Sequence, residues 1–396
     1  MKITGGLYRE RCITPEWDFV FGSGGRAAAA LAGLSHSVEL HTYCHSSVLA
    51  DAQATMGTFD VSLITTAAAT PISFSYFHPL SNPVVVPSSS SIVQQSAIHV
   101  SGDVVLRFGF LEGEAVVDAQ CAIYDPQSNR APTTFRSNGS RADRLAVVLN
   151  ADELALLAPA PSVKDSAMQL IQAENAETVV VKCGAAGAFV YIQTGQATQI
   201  PSYRSARVFK IGSGDVFSAA FAHFWGEQGI EPAAAADLAS RCTAWYCDRR
   251  QLPLPSPQEL ETLSALSRNV QPGRIYLAAP FFDIGQRWAV EEARLCLVRL
   301  GADVFSPVHE VGFDVPEVVA PADLAGLQTC SAVLAIVSGG DPGTLFEIGY
   351  ARRLGIPVIA LAERTQTRDL TMLIGSGCEI ARDFASAVYR AIWASH

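Results

Sequence analysis

A chain of 396 residues, 49% apolar and 17% charged, is too long for one hydrophobic core and too apolar for disorder, so two folded domains are expected. Its net charge of −10, with no extended run of Lys or Arg, argues against nucleic-acid polymers and anionic membranes as partners and favours small molecules. The nine cysteines, without C-x-x-C pairs or zinc-like spacing, read as buried thiols of a reducing compartment. With no signal-peptide core and no stretch of membrane-spanning length, a cytoplasmic protein is expected.

In chain order, "FGSGG" followed by an alanine-rich run predicts a helix entered through a glycine turn, with Arg26 inside it. The Thr/Ser/Pro-rich stretch of about residues 60 to 110 predicts peripheral strands, and Ser88 to Ser91 a loop. "AQCAIYDP", "LAVVLN", "TVVVKCG" and "GAFVYIQ" are short apolar runs of the kind that form buried strands, and long helices follow from Asp215 onward. This half is therefore α/β.

Two groups in it can carry chemistry. Gly212, Ser213 and Gly214 stand directly before a helix, where backbone N–H groups can gather round a developing phosphoryl charge, and Asp215 is then placed as the base for an acceptor hydroxyl. Asn150 and Glu153 follow "LAVVLN", where a carboxylate can organise water on Mg²⁺. Taken alone, Gly-Ser-Gly-Asp is also an ordinary helix start.

The succession "GSGGRAAAALAGL", "YDP", "NADE", "VVVKCGAAGAFVY", "GSGD" resembles the PfkB-type sugar and nucleoside kinases over about residues 1 to 265. The resemblance implies a ribokinase-like α/β sandwich that uses ATP and Mg²⁺ on a sugar or nucleoside. It assigns the anion hole to Gly212, Ser213 and Gly214, the base to Asp215, and the family's Asn-x-x-Glu element to Asn150 and Glu153. Phe209-Lys210 replaces the family's Asp-Thr, and Arg26 stands where an Asn is usual. Arg26 and Lys210 are accordingly expected to meet a phosphorylated ligand. Three readings remain open: an active kinase, a ligand sensor built on a degenerate kinase that regulates the second half, and a sugar or nucleoside kinase whose second half only binds a nucleotide.

Between Leu252 and Gly273, Pro-rich punctuation flanks a short helical pattern, which sets a boundary near residue 271 and domains over 1–265 and 271–396. Beyond it, "RIYLAA", "ADVFSP", "SAVLAIVS" and "IPVIALA" alternate with helical segments. One of these, Gly285 to Leu300, has Ala289, Ala293, Cys296, Leu297 and Leu300 on a single face. A smaller, flavodoxin-like, doubly wound parallel sheet of about five strands follows, with ligands expected beyond the carboxyl ends of its strands.

Polar residues cluster at those ends. Thr344-Leu345-Phe346-Glu347 has the form of a capping box, placing Glu347 in the first helical turn, where the helix dipole would keep it ionised. Asp341, between a Gly-Gly pair and Pro342-Gly343, sits on a tight loop suited to sugar hydroxyls. Asp323 is the candidate acid, and Tyr276 can orient Glu347 through its hydroxyl. Cleaving an N-glycosidic bond needs such a set: a carboxylate for the anomeric carbon on one face and an acid for the departing base on the other.

"IYLAAPFF", the intervening Asp323 and "DPGTLFEIGYARRLGIPVIAL" resemble nucleoside 2-deoxyribosyltransferases and related N-glycosidases over about residues 274 to 395, with Ala279 where many relatives have Gly. The resemblance implies that Glu347 is the glycosyl nucleophile, that Asp341, in the motif with Gly343, binds sugar hydroxyls, and that Asp323 handles the base proton. No cofactor is implied for this half. The fusion suggests nucleosides, nucleotides and sugars as substrates and a homo-oligomer as the assembly.

Overall fold

The computed structural model describes residues 1–128, 131–266, 273–337 and 339–396; the boundary expected near 271 lies outside them. The chain divides into two compact units, Met1–Ser205 with Phe209–Leu266, and Ala206–Val208 with Ser267–His396. Among the described residues no helix is long and apolar enough to cross a membrane. All nine cysteines are free, and only Cys183 is not fully buried.

The first unit is built on a nine-stranded sheet. Its strands, from one edge to the other, are Ala197–Ile200, Ala188–Ile192, Thr178–Lys182, Arg141–Asn150, Ala115–Asp125, Ile98–Phe108, Lys2–Thr4, Glu39–Cys44 and Ser62–Ala67. Only Ala188–Ile192 runs against its neighbours. The continuous apolar runs have a physical reason: Ala146 and Val148 enter the core on one face, Val147 and Leu149 that on the other. A strand buried on both sides has no polar face to display.

Helix Gly22–Leu31 is buried along its whole length, which is why it is spelled in Gly and Ala. A Cβ at Gly24 would fall 2.6 Å from the carbonyl oxygen of Gly5. A separate four-stranded sheet combines Trp17–Val20, Arg9–Cys12, Ser73–Tyr76 and Val84–Val86.

One expectation is corrected here. Within the stretch expected to be peripheral, Ile98–Phe108 is a central strand that pairs with both Ala115–Asp125 and Lys2–Thr4. Val105–Phe108 is continuously buried, Ile98 and Val100 also enter the core, and Ser101, Gly102 and Asp103 form a polar, partly exposed stretch between them. That polar middle, with Gly102 in it, disguised the strand.

The second unit is a five-stranded parallel sheet in the order Asp303–Phe305, Arg274–Ala278, Ala332–Ile336, Val358–Leu361, Glu379–Ala381. In chain sequence this order is 2-1-3-4-5, the doubly wound flavodoxin-like arrangement. Its topological switch lies between Arg274–Ala278 and Ala332–Ile336, which opens a crevice beyond their carboxyl ends.

Candidate active sites

Both strands at this switch point deliver polar groups. Tyr276, fully buried in Arg274–Ala278, stacks on Phe305 at 5.4 Å and donates its hydroxyl to Glu347 Oε1 at 2.7 Å. Glu347 lies on helix Pro342–Arg353, after strand Ala332–Ile336.

The helix cap is Asp341, not Thr344. Asp341 Oδ2 accepts from the Thr344 backbone N–H at 2.7 Å and from its hydroxyl at 2.8 Å. Asp341 and Thr344 both fit a capping pattern, and Pro342, well suited to the first helical position, decides for the earlier start. Glu347 is thus in the second turn, where the dipole has little hold on it.

Its ionisation is therefore the reverse of the sequence expectation. Burial, reinforced by the nearby Asp323 and Asp341 charges and opposed by the Tyr276 hydrogen bond, pushes the Glu347 carboxyl up to about 7. Burial also raises Asp323, whose Oδ1 is buried with no hydrogen-bond partner. Burial and then the Glu347 charge push the Tyr276 hydroxyl far above its ordinary range, so it remains a donor.

Asp323 sits inside helix Pro316–Gln328. Gly343 leaves room beside the cap: a Cβ there would come 3.2 Å from Asp341 Oδ2. The preceding Gly339 and Gly340 have φ of +69° and +67°, a backbone that other residues rarely adopt.

An aromatic group at this sheet end escaped the sequence reading. Phe281, after the Tyr276 strand, packs on Phe282 at 5.4 Å and edge-on to Phe313 at 5.7 Å, while Phe282 and Phe313 are 70% and 76% exposed. The available signal was the pair "FF" immediately beyond a strand end, outside any core periodicity.

In the first unit, Asp125, Asn150 and Lys182 are the last residues of three adjacent parallel strands, so their side chains meet at one sheet end. Lys182 Nζ donates to Asp125 Oδ2 at 2.5 Å, as does the Ser218 hydroxyl at 2.6 Å. Asn150 and Glu153 form a capping box, Oδ1 accepting from the Glu153 N–H at 2.8 Å and Glu153 Oε2 from the Asn150 N–H at 2.9 Å. Burial, followed by the Asp125 charge, raises the Glu153 carboxyl. Asp125 and Lys182 were visible in the sequence as single charges ending buried runs.

Helix Ser213–Phe221 starts at Gly212, with φ +75°. Asp215, in its first turn, has both carboxylate oxygens engaged: Oδ2 accepts from Arg26 Nη1 at 2.8 Å and Oδ1 from Gln127 Nε2 at 2.5 Å. Arg26 is 1% exposed and also donates to Glu10 through both terminal nitrogens, and to the Tyr246 hydroxyl at 3.1 Å. Burial opposes the Arg26 charge, and Glu10, Tyr246 and Asp215 overcome that opposition.

Arg26 therefore sits within an internal ion-pair network, not at an open ligand surface. Its side chain covers Gly212 so closely that a Cβ there would fall 2.1 Å from Nε. Lys210 likewise donates to the Ser213 hydroxyl at 2.7 Å, and burial lowers its pKa.

This arrangement does not fit ATP and Mg²⁺ in the usual kinase manner. Both oxygens of the base already accept a hydrogen bond, and a guanidinium lies over the first glycine of the anion hole.

Residues 275–381 match the family model of nucleoside 2-deoxyribosyltransferase, and residues 125–259 that of the pfkB family carbohydrate kinase. Both resemblances read from the motifs are thereby borne out over these stretches. Among solved structures, the chain is similar to a ribokinase from Thermotoga maritima, at 14% identity over 66% of this chain and 97% of that one, with a TM-score of 0.48. Arabidopsis thaliana ribokinase complexed with ribose and ATP gives 14% identity over 65% and 96%, also with a TM-score of 0.48. A pyrophosphate-dependent kinase in the ribokinase family gives 13% over 66% and 99%, with a TM-score of 0.46. The search of curated proteins gave no match.

Proposed function

We propose that the second unit cleaves or transfers the N-glycosidic bond of a nucleoside through Glu347, and that the first unit binds a related small molecule without phosphorylating it. The observation that carries the first part is the Tyr276 hydroxyl on Glu347 Oε1 at 2.7 Å, with two further acids in electrostatic reach at the switch point of the sheet.

In the first half-reaction, ionised Glu347 attacks the anomeric carbon. The C–N bond breaks, an ester forms, and Asp323 gives its proton to the departing base. In the second, water or another base attacks the same carbon, frees the Glu347 carboxylate and returns a proton to Asp323. Tyr276 holds the carboxylate in place, Asp341 meets sugar hydroxyls with its remaining oxygen, and Phe281 and Phe313 offer ring faces to the base.

The second part rests on Arg26. Both Asp215 oxygens already accept hydrogen bonds, from Arg26 and Gln127, where an acceptor hydroxyl would have to reach, which favours the sensor over the kinase for the first unit. Division into 1–265 and 271–396, a cytoplasmic setting and a homo-oligomer belong to the same proposal.

The test is chromatography of a nucleoside and nucleotide panel incubated with the full chain, with and without ATP. Free base or an exchanged nucleoside is expected, without ADP. No glycosidic product with any substrate overturns the first part, and ADP that depends on an acceptor overturns the second.

A further inference from the structure

The first unit contains a cavity of about 310 Å³ at the opposite end of its large sheet from Asp125, Asn150 and Lys182. We infer that this cavity binds a small, uncharged, planar heterocycle of the nucleobase class.

The cavity has a built wall. Arg144, six residues upstream of Asn150 on the same strand and so roughly 20 Å away, places its guanidinium 4.6 Å from the centre of the Trp225 ring. Glu177 fixes the guanidinium plane through a fork, Nε to Oε1 at 3.0 Å and Nη2 to Oε2 at 2.9 Å. The fork leaves Nη1 outside it as a donor. Trp225 is itself braced by Phe221, stacked at 5.8 Å and 13°.

Trp225 is carried by a π-helical turn, Ala222–Glu227, a rare geometry that recurs at functional sites. The turn is pressed onto the sheet: a Cβ at Gly226 would meet Val104 at 2.9 Å and Ile123 at 3.0 Å. Gly229, at φ +68°, reverses the chain behind it and lines the cavity.

The lining selects the ligand. Ile192 and Ile230 supply apolar surface over the buried Val190 and Trp225, while Gln196 and Thr198 supply donors and acceptors for a polar edge. Arg144 is already neutralised by Glu177, and Glu231 adds a second carboxylate, so phosphates and carboxylates are disfavoured. The volume is at the small end for ligand pockets, which suits a base without a sugar phosphate. A flat ring can stack on a guanidinium whose plane is already fixed, as nucleobases do elsewhere. The choice of base rests on the proposed glycosidic reaction, whose leaving group is of this class; the cavity itself does not depend on it.

Equilibrium dialysis of the full chain against adenine, hypoxanthine, guanine, uracil and thymine tests this, with ribose and inorganic phosphate as counter-probes. At least one base is expected to bind at an equivalent that Ala233→Trp, which fills the cavity, removes. Arg144→Ala and Arg144→Lys are expected to weaken that equivalent at least tenfold, and Thr198→Val, the fallback should the other variants misfold, by a few-fold. Base release from nucleosides is measured in parallel, and Thr198→Val should leave it unchanged. No base binding, binding of phosphate in preference to bases, or base binding indifferent to the Arg144 and Thr198 changes overturns the inference. Loss of base release with the cavity equivalent intact counts against the glycosidic proposal alone.

Discussion

Glu347 and Asp215 occupy matching places in their units, each on a helix entered from a glycine-containing loop, yet their surroundings are opposite. Asp215 is clamped by Arg26 and Gln127. Glu347 meets a tyrosine hydroxyl and two other acids, and its carboxyl is driven up to about 7. Asp215 has a buried cation against it, whereas Glu347, raised first by burial and then by like charges, is poised to lose or take a proton near neutrality. Placement in the fold does not fix reactivity; the partners do.

The largest effect that separates the two is expected from Glu347→Gln, which should lower base release by at least about 10³-fold while circular dichroism stays unchanged, because the amide cannot form the ester. Substantial release from a folded variant would remove Glu347 from the chemistry.

Arg26→Ala strikes the other side of the comparison. It leaves Glu10 and Asp215 buried without their cation and should cost about 3–5 kcal/mol in a urea titration. Wild-type stability would mean that the clamp contributes nothing. Acceptor-dependent ADP from the unaltered chain, abolished by Asp215→Asn, would show that the clamp opens.

Proton affinity gives a subtler contrast. Base release should rise with pH as Glu347 ionises through about 7. Tyr276→Phe removes the one hydrogen bond that favours the carboxylate, so this limb should move to higher pH, by about one unit on the scale of a charged hydrogen bond. A limb that stays put, or moves down, would contradict the assignment.

The same group links to stability. Because the folded-state pKa is raised, folding is favoured most below the ordinary glutamate range, and that advantage fades as pH rises through about 7. Glu347→Gln should therefore stabilise the fold at pH 8, by about 3 kcal/mol at most, and leave it unchanged at pH 4. Equal differences at both pH values would argue against the shift.

The smallest expected effect concerns specificity. With Asp323, Asp341 and Glu347 in one pocket, free nucleosides should exceed their 5′-monophosphates in kcat/KM by about tenfold, the scale of one modest charge repulsion. A preference for monophosphates would point to a basic group such as Arg287, which donates to the Phe281 carbonyl oxygen at 3.0 Å on the same side of the sheet.

The strand alternation of the second unit was legible because each parallel strand is a short apolar run between helices, and the motif order singled out Tyr276 on a strand, Asp341 at a helix cap, and Asp323 and Glu347 within helices. What the sequence hid was pairing across distance. Arg26 and Asp215 are 189 positions apart, and nothing local marks them, or Glu10, as partners. The cap was misread because Asp341 and Thr344 satisfy the same local rule three residues apart. The strand Ile98–Phe108 is hard to see because the polar Ser101-Gly102-Asp103 stretch interrupts its apolar pattern between Val100 and Val104.

Strand Ser62–Ala67, the outermost strand on one side of the nine-stranded sheet, carries a further consequence for handling the protein. It has no charged residue, no proline and a 43% exposed Ile64, and its residues are mostly exposed. Sheets ordinarily guard such a margin with lysine, proline or a bulge, because its outward row of amides and carbonyls is a template for another strand. This is where concentrated samples would begin to aggregate, and a lysine in place of Thr65 should raise the solubility limit without reaching either pocket.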